Sequence, residues 1–177
     1  VIACVDTFSE VAGKGIEKLK KEGVDVTVGI LEKEALELNK RFFTFHNKKR
    51  PYIILKWAET IDGFIDVDRR EKTKPSEVAG QERNDVDNWI TSPLSKKLVH
   101  KWRSEEKGIL IGTNTALNDN PQLNVREWKG KNPTRIVIDL NDRLPQHLHV
   151  FDKTIPTIVF SLSKKSEEQN LAFVKIN

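Results

Sequence analysis

Residues 88–126 constrain the fold of this 177-residue chain more than any other stretch, because a helical pattern leads there directly into an apolar run. Thr91, Ser92 and Pro93 form a typical helix start, since a hydroxyl can cap free backbone amides and proline is favoured at an early helical position. The apolar residues that follow at helical spacing predict one buried helix face: Leu94, Leu98, Val99 and Trp102. The pattern predicts a helix that ends near Arg103.

A short strand follows this helix. Residues 109–111 are Ile-Leu-Ile between Gly108 and Gly112, an apolar run that is typical of a covered parallel strand. The carboxyl end of this strand opens into a polar loop that contains Thr115 and Asp119. Open α/β sheets bind ligands beyond the carboxyl ends of their strands, so we expect ligand-binding residues in this loop.

Composition narrows the classes of function. Hydrophobic residues make up 37% of the chain and charged residues 32%, which is compatible with a soluble globular protein. The 30 basic and 26 acidic residues are spread over the whole length and form no basic stripe, so we expect no nucleic-acid partner. Cys4 is the only cysteine, which excludes an intrachain disulfide and a cysteine-rich zinc motif. No stretch is long enough for a membrane span and the start is no signal peptide, so we expect a cytoplasmic protein without a membrane partner.

The rest of the chain alternates between helical and strand patterns. In the first segment we predict strand, helix, strand and helix over residues 1–5, 13–22, 24–28 and 31–45. His46, the only histidine of that segment, is interpreted as solvated. Later strands are predicted over residues 134–140, 156–162 and 173–176. His147 and His149 share a polar loop, but without a third ligand nearby they predict no metal site.

A new core begins near Pro51, after a polar and basic linker over residues 47–50. Residues 52–58 form a nearly continuous apolar run, and the following Asp-Gly pair predicts a hairpin with a return strand over residues 64–67. Lys56 interrupts the apolar run. It is either a lysine whose charged end reaches solvent, or a cation kept for an anionic or carbonyl-bearing ligand.

Two arginines lie near the predicted ligand-binding loop. Arg103 and Arg126 can supply the planar forks that a phosphate group needs, although a cation in the last turn of any helix is also favourable. Asp119 is either a hydrogen-bonding group for a ligand or a turn residue before an Asn-Pro pair. Trp89 is either a core residue or an aromatic wall for a cofactor ring.

These motifs together resemble a known family. Trp-Ile-Thr-Ser, a following arginine, Gly-Thr-x-Thr and Asp-x-Pro-x-Leu-x-Val-Arg occur in this order at positions 89–92, 103, 112–115 and 119–126. An opening signature of Arg-Pro, Lys, Ala and Asp-Gly precedes them at positions 50–51, 56, 58 and 62–63. The chain resembles the reductase domain of the bifunctional riboflavin-biosynthesis deaminase/reductase (RibD) family, and the likeness covers most of its length.

The resemblance implies a fold and a domain organisation. It implies an α/β protein whose dihydrofolate-reductase-like sheet is mixed, mostly parallel and flanked by helices. Residues 1–46 are then the α/β remnant of a cytidine-deaminase-like domain, residues 47–50 a linker and residues 51–177 the reductase domain. Zinc belongs only to the missing deaminase part, whose His-x-Glu and Cys ligands are absent from this sequence. The chain lacks Met even at position 1, and we expect it to be truncated at both ends.

The resemblance also implies an activity. The expected reaction is the NADPH-dependent reduction of the ribosyl group of 5-amino-6-(5-phosphoribosylamino)uracil to the ribityl product. No Gly-x-Gly-x-x-Gly fingerprint is present, and a dihydrofolate-reductase-like sheet binds NADPH without it. The implied catalytic residue is Lys56. The implied NADPH contacts are Ala58, Trp89, Thr115, Asp119 and Leu140. The implied contacts to the phosphorylated pyrimidine substrate are Asp87, Arg103, Leu123 and Arg126.

Two features depart from the family pattern. Residues 68–87 are predicted to form a charged loop that is longer than the family's connection, and loops of this length tend to be functional or disordered. Asp87 stands where the family has a small hydroxyl residue, and its carboxylate would repel a phosphate. Two alternatives stay open: a non-catalytic binding or oligomerisation fragment, and a pterin or folate reductase of related fold. We expect a homo-oligomer, either a dimer or a tetramer.

Overall fold

The computed structural model describes residues 1–8, 10–65 and 91–177. These residues form two compact units, Val1–Trp57 and Ala58–Asn177. The predicted charged loop over residues 68–87 and the end of the predicted return strand lie outside the described residues. Among the described helices, none combines the length and the apolar character that a membrane span needs.

The first unit contains three helices, α1 (Lys14–Lys21), α2 (Glu32–Leu38) and α3 (Lys40–Lys48). The prediction of strands over residues 1–5 and 24–28 was wrong, since these segments share only an isolated parallel bridge between Ile2 and Val28. A single bridge of this kind has no neighbouring strand in the described residues to extend it into a ladder, and two-stranded pairs are marginal on their own.

The predicted helix over residues 31–45 is divided at Asn39, which ends α2 and begins α3. The side-chain Nδ2 of Asn39 donates a hydrogen bond to the backbone oxygen of Ala35 at 2.9 Å. Asn competes in this way with the regular helix ladder and favours caps over helix interiors. The apolar periodicity of the segment did not reveal this interruption.

The predicted strand over residues 52–58 is also wrong, because this segment has no regular structure and no partner strand in the described part of the chain. The predicted Asp-Gly turn is confirmed. Gly63 adopts a positive φ of 86°, and the backbone N–H of Phe64 donates to Oγ1 of Thr60 at 3.1 Å. Glycine suits this position because it enters the left-handed region without steric cost.

The second unit contains a mixed sheet of five strands within the described residues. Its elements are α4 (Pro93–Glu105), β1 (Gly108–Gly112), α5 (Thr113–Asp119), β2 (Thr134–Ile138), a 3-10 helix (His149–Phe151), β3 (Thr157–Ser161), β4 (Ser166–Glu168) and β5 (Leu171–Lys175). The strand order is β1-β2-β3-β5-β4, in which only the β4–β5 pair is antiparallel. The expected mixed, mostly parallel sheet is therefore confirmed, with predicted strands corresponding to β1, β2, β3 and β5.

The core of this unit lies against β2 and β3. Val137 and Val159 are fully buried in these strands, and Ala116 of α5 packs into the same cluster. The prediction of a loop after β1 was wrong, since burial of Ala116 stabilises a helix there through packing. The expectation that β1 is a covered strand is also wrong for the described residues. β1 lies at the edge of their sheet, and Leu110 is 58% exposed.

A fully buried arginine joins β2 to the elements beside it. In Arg135, Nε donates to Oγ1 of Thr157 at 2.8 Å and Nη1 donates to the backbone oxygen of His149 at 2.6 Å. Nη2 donates to Oδ1 of Asp152 at 2.7 Å and to the backbone oxygen of Ile155 at 3.0 Å. All three nitrogens are thus hydrogen-bonded, as a buried guanidinium requires.

We predict that Arg135→Met lowers the free energy of unfolding by about 3 kcal/mol, because it removes the charged donor from the buried network of Asp152 and the backbone oxygens of His149 and Ile155. Urea unfolding followed by circular dichroism measures this loss. The matched control is Lys153→Met, which removes an exposed ion pair with Glu168 and is expected to cost less than about 1 kcal/mol. Equal losses for the two variants would contradict the structural role of Arg135.

Candidate functional site

Helix α4 begins as its sequence predicts. Pro93 is the first helical residue, and Oγ of Ser92 accepts a hydrogen bond from the backbone N–H of Ser95 at 3.2 Å. The predicted buried face is wrong, since Leu94 and Trp102 are 77% and 43% exposed and the buried residue is His100. Among the described residues the loop after α5 covers the His100 side of the helix, through a backbone hydrogen bond from Arg126.

Two arginines converge on one residue of that loop. Nη1 of Arg103, in α4, donates to the backbone oxygen of Asn124 at 2.7 Å. Nη1 of Arg126 donates to the side-chain Oδ1 of the same asparagine at 2.9 Å. Leu123, the residue before Asn124, is buried and has a positive φ of 55°. The structure therefore brings three of the four sequence-predicted substrate-binding residues together.

The electrostatics of this arginine pair favour an anion. Burial, and then the positive charge of Arg126, lower the pKa of the Arg103 guanidinium. Within the described residues, Nε of Arg103 is buried without a hydrogen-bond partner. Two like charges in close proximity are relieved by a phosphate or carboxylate, which can accept hydrogen bonds from both guanidiniums. The pair of Arg103 and Arg126, called the arginine cluster below, is thus a candidate anion site.

His100 contacts the arginine cluster, although the sequence analysis did not identify it. The backbone N–H of Arg126 donates to Nδ1 of His100 at 3.3 Å. Burial is the main cause that lowers the pKa of His100, and the charges of Arg103, Arg126 and Lys96 act in the same direction. The signal that could have revealed it is spacing, because His100 precedes Arg103 by three residues and so lies on the same helix face.

Further contacts hold the loop, both against α4 and within the loop itself. Nζ of Lys96 lies 2.9 Å from a carboxylate oxygen of Glu127, and the backbone N–H of Val125 donates to Oδ1 of Asn132 at 2.7 Å. Gly130 approaches the helix so closely that a Cβ atom there would lie 2.5 Å from Cβ of Ser104. The loop is therefore held by several independent contacts along its length.

The sequence-predicted cofactor residues Thr115 and Asp119 lie on α5 and not in a loop. Both are exposed. The first turn of α5 is tied to the end of β2, because Oγ1 of Thr113 donates to the backbone oxygen of Ile138 at 2.7 Å. Nη2 of Arg143 lies 3.3 Å from Oδ1 of Asn114 at this same edge of the sheet. Polar groups therefore surround the carboxyl ends of β1 and β2.

Leu140 follows β2 at this edge. Its backbone oxygen accepts a hydrogen bond from the backbone N–H of Leu162 at 3.1 Å, so that oxygen already has a protein partner. The preceding residue, Asp139, is buried and accepts hydrogen bonds from the backbone N–H groups of Arg143 at 3.1 Å and Leu144 at 3.0 Å. Asp139 thereby fixes the turn that follows β2.

The other predicted site residues are not assembled by the described contacts. Lys56 is an exposed residue of the first unit, and Ala58 is the first, half-buried residue of the second. Asp87 and Trp89 lie outside the described residues.

His149 has a structural position, since its backbone N–H donates to Oδ1 of Asn120 at 2.8 Å. In the described part of the chain, no group of three or more His, Cys, Asp or Glu side chains is arranged to hold a metal ion.

The fold and the arginine cluster define an α/β domain with a candidate anion site beside a mostly parallel sheet. Comparison assigns its family: the sequence profile of the RibD C-terminal domain matches residues 51–176, and the chain belongs to this family. It is 39% identical over 171 residues to the riboflavin biosynthesis protein RibD of Aquifex aeolicus, covering 96% of this chain and 43% of that protein. It is 34% identical over 170 residues to RibD of Chlamydia pneumoniae, covering 94% and 41%. The chain thus spans less than half the length of these relatives.

Solved structures share the fold. One, described as a diaminohydroxyphosphoribosylaminopyrimidine deaminase/5-amino-6-(5-phosphoribosylamino)uracil reductase from Thermotoga maritima, aligns with a TM-score of 0.77 at 34% identity, over 98% of this chain and 46% of that one. A structure of RibD from Acinetobacter baumannii aligns with a TM-score of 0.72 at 27% identity, over 100% and 48%. The resemblance to the RibD family and its dihydrofolate-reductase-like fold is therefore confirmed.

The lowered pKa of His100 predicts a pH dependence of stability with a defined sign. As the pH falls, the unfolded chain takes up a proton at this position before the folded chain does. The contribution of neutral His100 to the free energy of unfolding is complete above the ordinary imidazole pKa of about 6.5. It is lost as the pH falls below that value. Denaturant unfolding between about pH 7.5 and about pH 5.5 is expected to show a larger loss for the wild type than for His100→Asn.

The comparison with His100→Asn isolates this effect, because the variant has no imidazole at position 100 while all other titrating groups remain. Parallel losses in the two proteins would show that His100 is not held neutral in the folded chain.

Proposed function

We propose that the protein reduces the ribosyl group of 5-amino-6-(5-phosphoribosylamino)uracil to the ribityl product, with NADPH as the reductant. The observation that supports this most directly is the convergence of Arg103 and Arg126 on Asn124, because a phosphorylated ribose needs such a pair of cationic forks. Membership of the RibD C-terminal domain family supports the same reaction. The name of the Thermotoga maritima structure contains this reductase activity.

In this proposal the arginine cluster holds the substrate phosphate. The guanidinium of Arg103, which is partly buried, and the exposed side of the Arg126 guanidinium bind the phosphate oxygens. Leu123 packs against the sugar or the pyrimidine, and Asp87 is proposed as a further substrate contact. Lys56 orients or polarises the reacting carbonyl group. Lys56, Asp87 and Leu123 take these roles from the family resemblance.

The residues around the sheet edge are chemically suited to NADPH. Thr115 and Asp119 are exposed on α5 and present a hydroxyl and a carboxylate, which can bind ribose hydroxyls or amide groups. The backbone oxygen of Leu140 is engaged by Leu162, so Leu140 contributes its N–H or its side chain instead. Ala58 and Trp89 complete the proposed contacts. NADPH, when bound, supplies the hydride, and the protein positions it.

The proposal extends to the domain organisation, the metal content and the oligomeric state. Residues 1–46 are a deaminase remnant, residues 47–50 a linker and residues 51–177 the reductase domain. The family profile begins at residue 51, which supports this boundary, whereas the compact units divide after Trp57. Zinc belongs only to a deaminase part. A cytoplasmic homo-oligomer is proposed from the class of metabolic enzyme.

We predict that Arg103→Ala and Arg126→Ala each raise the KM for the phosphorylated substrate by about 10- to 100-fold, the effect of losing a charged hydrogen bond. Oxidation of NADPH, followed by its absorbance, measures the rate. The matched control is Lys97→Ala, which removes the same charge from an exposed position of α4 and is expected to change KM by less than about twofold.

Each alternative function has its own outcome in this experiment. A pterin or folate reductase would oxidise NADPH with those substrates and not with the phosphorylated pyrimidine. A non-catalytic fragment would neither turn over substrate nor quench its tryptophan fluorescence on NADPH addition. Saturable quenching that weakens in Trp89→Phe would support the cofactor assignment even without turnover.

A further inference from the structure

A buried histidine in α4 is hydrogen-bonded to the backbone of the arginine cluster. His100 is 2% exposed in α4, and its Nδ1 accepts the backbone N–H of Arg126 at 3.3 Å. A neutral imidazole has one acceptor nitrogen, so this bond requires that Nδ1 carry no proton. The backbone of one phosphate-binding arginine therefore depends on the protonation state of a residue that the substrate does not touch.

The attachment has a simple geometry. His100 and Arg103 lie three positions apart on one face of α4, and they bind the loop at Arg126 and Asn124 respectively. The helix thus holds the loop at two points separated by one residue, once through a backbone N–H and once through a backbone oxygen. With both points fixed, the direction in which the Arg126 side chain leaves the backbone is fixed as well.

We infer that the neutral imidazole of His100 is a positioning residue, which sets the backbone of Arg126 so that its guanidinium and that of Arg103 form one phosphate-binding fork. The inference rests on the proposed function, since it needs Arg126 to bind the substrate phosphate. It adds a specific consequence: protonation of His100 weakens binding of a phosphorylated sugar without touching it.

The charges around His100 make protonation unfavourable to the fork. Lys96 and Arg103 of α4 and Arg126 of the loop face it with positive charge, while Glu127 is the opposing negative charge and is paired with Lys96. Protonation at Nδ1 replaces an acceptor with a donor that points at the backbone N–H of Arg126. It also adds a positive charge beside two guanidiniums, so the loop must move away from the helix.

Titration of the full chain with ribose 5-phosphate, followed by calorimetry, tests this inference in wild type, His100→Leu, His100→Asn and Arg126→Ala. Leu removes the acceptor, whereas the amide oxygen of Asn lies close to the position of Nδ1 and can accept the same bond. We expect binding to weaken about five- to tenfold in His100→Leu, the worth of one backbone hydrogen bond, and to stay within about twofold of wild type in His100→Asn.

The pH profile gives a second readout. Ribose 5-phosphate itself gains a proton near pH 6, so affinity falls in every protein as the pH is lowered to about 6. We expect an additional fall in wild type that His100→Asn lacks, because only wild type carries an imidazole there.

The results distinguish the positioning role of His100 from the proposed phosphate site. Wild-type affinity in His100→Leu, or equal weakening in His100→Leu and His100→Asn, overturns the positioning role. If His100→Leu does not fold by circular dichroism, parallel pH profiles of wild type and His100→Asn overturn it instead. Unchanged affinity in Arg126→Ala, or no binding by wild type, rejects the proposed phosphate site itself. Weakening in Arg126→Ala together with rescue in His100→Asn supports both.

Discussion

The buried guanidinium of Arg135 is the interaction on which the second unit of this protein depends. A charged group without access to water is tolerated only where its hydrogen bonds are satisfied, and its partners come from β3, from the 3-10 helix and from the turn between them. Arg135 therefore fixes these segments around β2. Partial burial raises the pKa of Asp152, but the hydrogen bonds from Arg135 and Thr154 outweigh it and lower that pKa to about 2.

The same network reaches the candidate site through His149. The backbone oxygen of His149 accepts from Arg135, and its backbone N–H donates to the side chain of Asn120. Asn120 ends α5 in the left-handed conformation, three residues before the buried Leu123. One chain of hydrogen bonds therefore connects the core of the sheet to the start of the loop that carries Arg126. The far end of this loop is held by α4, so both of its ends are fixed by elements of the fold.

Sequence predicted the features that depend on local chemistry. The Ser-Pro start of α4 and the apolar run of β1 gave their elements correctly, because capping and short apolar strands are encoded in a few neighbouring residues. The buried face of α4 could not be predicted in this way, since burial depends on which distant segment covers the helix. The convergence of Arg103 on Asn124 has the same origin: the loop conformation, with Leu123 at positive φ, decides it. His100 was missed because its spacing to Arg103 indicates a shared helix face but does not indicate that His100 binds the backbone of Arg126.

The arrangement of the arginine cluster explains why so many contacts hold one loop. Arg103 and Arg126 repel each other, and burial adds to the cost of keeping the Arg103 charge, so their charges disfavour this close arrangement. Left to itself, the loop would relax by moving the Arg126 guanidinium away from Arg103. The bonds to His100, Asn124 and Asn132 oppose this motion, and the close approach of Gly130 to α4 limits it further. The phosphate proposed to bind here would meet cationic donors that are already oriented, and its binding free energy would not be spent on ordering them.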